Sequence, residues 1–212
     1  MTGDRGAAAR AGSAAVTPLQ RQLRAVPVRT RATPLDALTV ALRWFRAGRR
    51  IDIQALAKEL GISRVTLHRW VGTRDQLLVE VLWLTADRAL AAVWDTVRDE
   101  GPTHSLTAET LSRWAADVLL HPGFRRMQAD EGELLARLLT REASEFQSRL
   151  IGLVTTMLTH DVETGRVTID LEPAELAYAT VRIAESFVHT PAITGGEPDP
   201  ERNARVLRAL LR

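Results

Sequence analysis

Four times between Thr33 and Gly101 a side chain able to cap a helix precedes an apolar run at helical spacing, and each run closes on a glycine. The pairs are Thr33 with Gly48, Asp52 with Gly61, Ser63 with Gly72 and Thr73 with Gly101. Short polar side chains accept hydrogen bonds from the free N–H groups of a first turn, and glycine supplies the backbone turn that ends a helix. This punctuation commits the segment to four helices, two of them only about eight residues long. Beyond Pro102 the spacing predicts further helices near 106–120, 122–130, 132–140, 143–163, 173–189 and 200–212. The breaks between them are "HPGF", "ETGRVTIDLEP" and "TPAITGGEPDP", and "RVTID" reads as a short extended piece. Strand alternation, hairpin turns and internal repeats do not appear, so the expected class is all-α.

Within this series, Leu56 to Val71 form a corner. Ala57 supplies a small contact between two short helices, and Gly61 supplies the tight turn, where a positive φ costs glycine nothing. Leu56, Leu60, Ile62, Leu67 and Val71 are spaced to meet inside, with Ile53 closing the front. Ser63 caps the second helix and leaves Arg64, Val65, Thr66, His68 and Arg69 off the buried face. That is a helix-turn-helix, and its second helix has the right size for a DNA major groove. The helix opened by Thr33 and Pro34 completes a three-helix unit, with Leu35, Leu38, Ala41, Leu42 and Phe45 on one face.

Charge follows the same division. Residues 1–33 hold six Arg and one Asp, residues 34–78 eight Lys or Arg against four acids, and residues 79–212 fourteen Arg against 21 acids. A basic end joined to an acidic remainder is the footprint of a chain that presents one end to a polyanion. Residues 1–33 have no helical stripe beyond "TPLQRQLRAV" and read as a mostly disordered basic tail, either simply solvated or adding phosphate contacts. No run of 18 apolar residues and no secretory apolar block occurs, and there is no cysteine, so a cytoplasmic protein away from the membrane is expected. The five His (68, 104, 121, 160, 189) form no HxxH pair, and neither a Gly-x-Ser-x-Gly elbow nor a phosphate loop is present. No catalytic residue, metal site or cofactor is expected.

The arrangement resembles the TetR family of one-component repressors. The recognition segment of that family commonly reads Val-Ser-Lys/Arg-Gly-Thr-Leu-Tyr-x-x-Phe-x-x-Lys-x-x-Leu. Here Ile62-Ser63-Arg64-Val65-Thr66-Leu67-His68-Arg69-Trp70-Val71-Gly72-Thr73-Arg74-Asp75-Gln76-Leu77 follows it, with Val65 for Gly, His68 for Tyr and Val71 for Phe. The C-terminal run from "HPGFRRMQADEGELLARLLT" onward further resembles the branch named after QsdR, which implies a lactone-type effector by analogy. The resemblance implies a DNA-binding domain over 34–78 and a helical ligand-binding and dimerisation domain over 79–212. It also implies a homodimer through the last two helices, a near-palindromic DNA operator, and release by a small, mainly apolar effector.

Candidate DNA contacts are Arg64 and Thr66 to base edges, Val65 to a thymine methyl, His68 and Trp70 to the backbone, and Gln54 to a base or phosphate. Trp70 is equally placed to be half core. Thr73 and Arg74 open the long helix, where free N–H groups and the positive dipole end favour a phosphate. Candidate effector contacts are Trp114, Phe124, Met127, Phe146, Met157, Tyr178, Arg182 and Glu185. The last two are three residues apart and either pair with each other or offer a hydrogen bond to the ligand. Two other readings are carried: a sequence-nonspecific DNA binder using the basic arm, and a lactone-processing enzyme.

Overall fold

A computed structural model describes residues 32–140, 145–188, 196–197 and 199–212. The expected basic tail, with its short helix, falls on residues outside this set except for Ala32 and Thr33. In chain order the helices are α1 (Pro34–Arg46), α2 (Ile53–Leu60), α3 (Arg64–Val71), α4 (Arg74–Glu100), α5 (Leu106–Leu120), α6 (Pro122–Thr140), α7 (Phe146–Glu163), α8 (Pro173–Val188) and α9 (Pro200–Leu210). No strand occurs among the described residues, and "RVTID" is an irregular link whose Val167 is buried. None of these helices is long and apolar enough to cross a membrane.

The caps fall where the sequence puts them. Thr33 Oγ1 accepts from Asp36 N while the Asp36 carboxylate accepts from Thr33 N, and Pro34 occupies the first helical position. Asp52 and Ser63 accept from Ala55 N and Thr66 N, and Thr73 with Gln76 forms a second reciprocal cap. Such caps satisfy donors that a helix start otherwise leaves bare. Gly61 is left-handed (φ 67°, ψ 31°), which turns the chain sharply between α2 and α3. Gly72 is required twice over: its φ is +69°, and a Cβ there would lie 2.1 Å from Gln76 Oε1, the atom that closes the α4 cap.

α1 packs on α2, α3, α4 and α6, so the first helix is the hub between the corner and the rest of the fold. Its buried face is Ala37, Ala41, Leu42, Trp44 and Phe45. The expected face included Leu35, which is 73% exposed and borders a groove with Leu38, Trp70 and Leu77. Inside the corner Leu56 and Leu67 are fully buried, and Ile53 is half-buried and packs against the core. At about 1.5 Å per residue, the 27-residue α4 spans about 40 Å. It touches α1, α3, α5, α6 and α7, and so runs from the corner into the C-terminal bundle.

In that bundle α5 is central, packing on α4, α6, α7, α8 and α9, while α7 lies along α8. Its start is anchored by Asp161 of α7, a fully buried carboxylate that accepts from Ser105 Oγ (2.8 Å), Leu106 N (3.1 Å) and Thr107 N (2.9 Å). The two expected helices 122–130 and 132–140 are the two arms of α6, separated at Glu131 by non-helical angles (φ −142°, ψ 39°).

Candidate DNA-binding surface and effector cavity

On α3 only Leu67 is buried; Arg64, Val65, His68 and Arg69 are exposed. Val65 is 69% exposed, an unusual setting for a β-branched side chain on a helix, where it gains nothing from packing. Arg64, Arg69 and the nearby Lys58 have no ion-pair partner among the described residues, so their charge is available to an anion. Gln54 is exposed in the first turn of α2. Thr66 is half-buried, its hydroxyl 2.9 Å from Ser63 Oγ and its N–H bound to the same atom. Trp70 is also half-buried and borders a groove with Leu35, Leu38 and Val71, so much of its ring faces α1.

Arg74 requires a correction. Expected at a phosphate, its side chain turns inward instead. Nη1 and Nη2 donate to the Glu131 carboxylate (2.7 and 3.0 Å), and Nε donates to the Ile51 carbonyl (2.7 Å). A guanidinium has five N–H donors in a fixed fork, and three of these are taken by the protein, with the side chain 23% exposed. Thr73 remains at the exposed start of α4, where its hydroxyl and backbone N–H close the reciprocal cap.

A second feature lies behind the corner. A cavity of about 110 Å³ opens among α1, α4, α5, α6, α7 and α8, and its wall is almost wholly apolar. For scale, an apolar cavity of ~150 Å³ admits benzene. Four expected effector residues meet there: Trp114, Phe124, Phe146 and Glu185. The other four do not. Met127 packs beside the α6 kink, and Met157 lines a separate groove with Trp94 and His160. Tyr178 is 56% exposed on α8, with the Arg182 guanidinium over its ring at 5.9 Å. Arg182 itself binds Gln147 and Glu185. Neither residue reaches the cavity, which meets α8 only toward its C-terminal end, at Ala184, Glu185 and Val188.

Polar groups near the cavity are few. Trp114 is buried and its Nε1–H has no partner among the described residues. Burial pushes the Glu185 carboxyl above its ordinary range, although Gln147 and Arg182 both hydrogen-bond its charged form. His121, outside the expected effector set, stacks on Phe45 of α1 at 5.0 Å and lines the same wall. Its Nδ1 accepts from Gly123 N (3.2 Å) and Phe124 N (3.4 Å), which caps α6 and leaves the ring proton on Nε2. Burial, and then the charge of Arg46, hold its pKa below the usual value, consistent with a neutral ring. The "HPGF" punctuation was the available signal: a histidine two residues before a glycine N–H is positioned to cap.

Comparison with known proteins places these features. Residues 103–212 match the family model described as the tetracyclin repressor-like C-terminal domain. The R. erythropolis transcriptional repressor QsdR, of the TetR family, superposes with a TM-score of 0.72 at 25% identity, covering 84% of this chain and 93% of its own. The TetR family repressor AlkX from Dietzia sp. strain DQ12-45-1b, implicated in biodegradation of n-alkanes, gives 0.61 at 20% identity, covering 85% and 94%. No curated protein sequence matches. With the family model covering half of its length and a helix-turn-helix ahead of it, the chain belongs to the TetR family of transcriptional regulators.

Proposed function

We propose that this chain is a repressor that binds an inverted-repeat operator as a homodimer and releases it when a small, mainly apolar molecule enters the cavity. Residues 34–78 serve as the DNA-binding domain and 79–212 as the effector and dimerisation domain. The observation that carries the reading is α3: a helix with one buried residue and an exposed row of Arg64, Val65, His68 and Arg69. Arg64 reads a base edge as a fork, Thr66 adds a hydroxyl, and Val65 meets a thymine methyl. Gln54, His68, the outer edge of Trp70 and the α4 start at Thr73 meet phosphate or sugar. The Arg74 side chain is not among these contacts.

Pairing through α8 and α9 would set two recognition helices about 34–36 Å apart, on successive major grooves. The exposed Tyr178 on α8 supports that face, since a large ring on a packed bundle gains little from water. For the effector, an almost wholly apolar wall suits a compact apolar body, and the buried Nε1–H of the lining Trp114, without a partner among the described residues, suits a single acceptor on it. A lactone carbonyl is such an acceptor, and the likeness to QsdR favours that class.

Selection of duplexes from a random DNA pool by the full-length protein, at fixed salt and without effector, tests the reading. Recovery of one inverted repeat is expected, bound at least about 10³-fold more tightly than random sequence. Equal affinity for selected and random DNA would refute it. The recovered duplex then serves to screen lactones and alkanes for release.

A further inference from the structure

The break in α6 is tied to the DNA-binding unit by its own side chain. Glu131, at the break, has a side chain only 14% exposed, and its carboxylate accepts from two arginines of the N-terminal part. Arg74 supplies two donors, and Arg50 Nε adds a third at 2.6 Å. The Arg74 hydrogen bonds, with those of Arg50, hold Glu131 below its ordinary pKa, so it stays charged. Arg74 Nε is in turn fixed on the carbonyl of the buried Ile51. One knot thus joins three segments: the α1–α2 loop, the first turn of α4 and the apex of the α6 kink.

Both arms of the kink reach the cavity. Phe124 lies on the arm before Glu131 and Leu139 on the arm after it. Arg74 lies three residues beyond Val71, the end of α3. A fork-to-carboxylate pair tolerates little change of angle, so it holds one arrangement or gives way to another. We propose that Glu131 is the positioning residue that sets the attitude of the recognition helix relative to the cavity wall. A change in the angle between the arms of α6 displaces the carboxylate, and α3 moves with Arg74. This rests on the repressor reading above.

The test uses full-length protein and two variants. Glu131→Gln keeps the size but removes the charge; Arg74→Lys keeps the charge but loses the fork and the bond to Ile51. Lacking native cysteine, the chain accepts spin labels at two introduced sites, Lys58→Cys on α2 and Thr156→Cys on α7, both exposed. Labelled chains diluted with unlabelled protein report the distance between the corner and the bundle. Each variant is expected to broaden or shift that distance distribution. Each is also expected to weaken binding of the duplex selected by the unmodified protein about 10- to 100-fold, with affinity for random duplex unchanged. Wild-type affinity for the selected duplex overturns the proposal, and so does an unchanged distance distribution. Should the unmodified protein select no sequence, the repressor reading falls, while the distance measurement still judges the joint. If Glu131→Gln does not fold, Arg74→Lys alone decides.

Discussion

Gly123→Ala and Gly152→Ala are the same chemical change within a helix, and they should have opposite effects. Alanine is favoured over glycine inside a helix by about 0.8–1.0 kcal/mol. At Gly152, exposed on α7, an added Cβ meets nothing within 4 Å, so the variant should gain roughly that amount. At Gly123, in the first turn of α6, the Cβ would lie 2.2 Å from the Phe45 carbonyl oxygen and 2.8 Å from two atoms of its ring. The nearest atom is backbone, at the end of α1, and cannot rotate away. Restoring ordinary contact needs a retreat of about 1 Å between α1 and α6, against an overpacking cost typically about 1–3 kcal/mol. A clash with backbone puts the steric cost in the upper part of that range, about 2–3 kcal/mol, so it should exceed helix propensity for a net loss of about 1–2 kcal/mol. At about 2–4 °C per kcal/mol for a domain of this size, Tm should fall by about 2–8 °C for Gly123→Ala and rise by about 2–4 °C for Gly152→Ala. Urea unfolding would give the free energies directly. Because Phe45 stacks on His121 in the cavity wall, the same retreat should weaken binding of the selected duplex. A Gly123→Ala protein as stable as the parent would show that α1 and α6 are not in the tight register described.

Three further outcomes follow from the same physical terms. Replacing Asp161 by Ala strips a fully buried carboxylate from two backbone N–H groups and the Ser105 hydroxyl, and should cost about 3 kcal/mol or more in urea unfolding. Arg64→Ala should weaken operator binding by about 1–3 kcal/mol and relax preference at one base position, checked by repeating the DNA selection; unaltered preference would exclude Arg64 as a reader. His121 is held below its usual pKa in the folded chain, so well above the unfolded value of about 6.5 both folded and unfolded forms keep it neutral. As pH falls below that, the unfolded chain takes up the proton first and stability drops, until the folded ring is protonated as well. The difference in urea stability between parent and His121→Gln should therefore shrink from pH 7.5 to pH 5.5, and a constant difference would contradict the Nδ1 cap.

Sequence and structure agree best where a choice is local. A cap, a glycine stop and a three-to-four residue spacing act within one turn, so Thr33, Asp52, Ser63, Thr73 and Gly61 could be read without knowing what any helix packs against. The exposed row on α3 was legible for the same reason: Leu67 is the one fully buried residue of that helix, and the charged side chains fall away from it. Arg74 shows where such reading stops. Its place at a helix start favours an anion whatever that anion is, and sequence does not say that Glu131, 57 positions later, is the one supplied. The α8 candidates show a second limit. Tyr178, Arg182 and Glu185 follow one another at i, i+4 and i+7 along one stripe of the helix, but the cavity meets only its C-terminal end, at Ala184, Glu185 and Val188. Residue type signals the chemistry a site needs, and only packing decides which member of a helix turn can supply it. His121 and Phe45 make the converse point, since each has an ordinary local role, a cap and a core ring. They border the cavity because the α5–α6 turn packs against the end of α1, a contact made possible by a glycine whose missing side chain is the feature that matters.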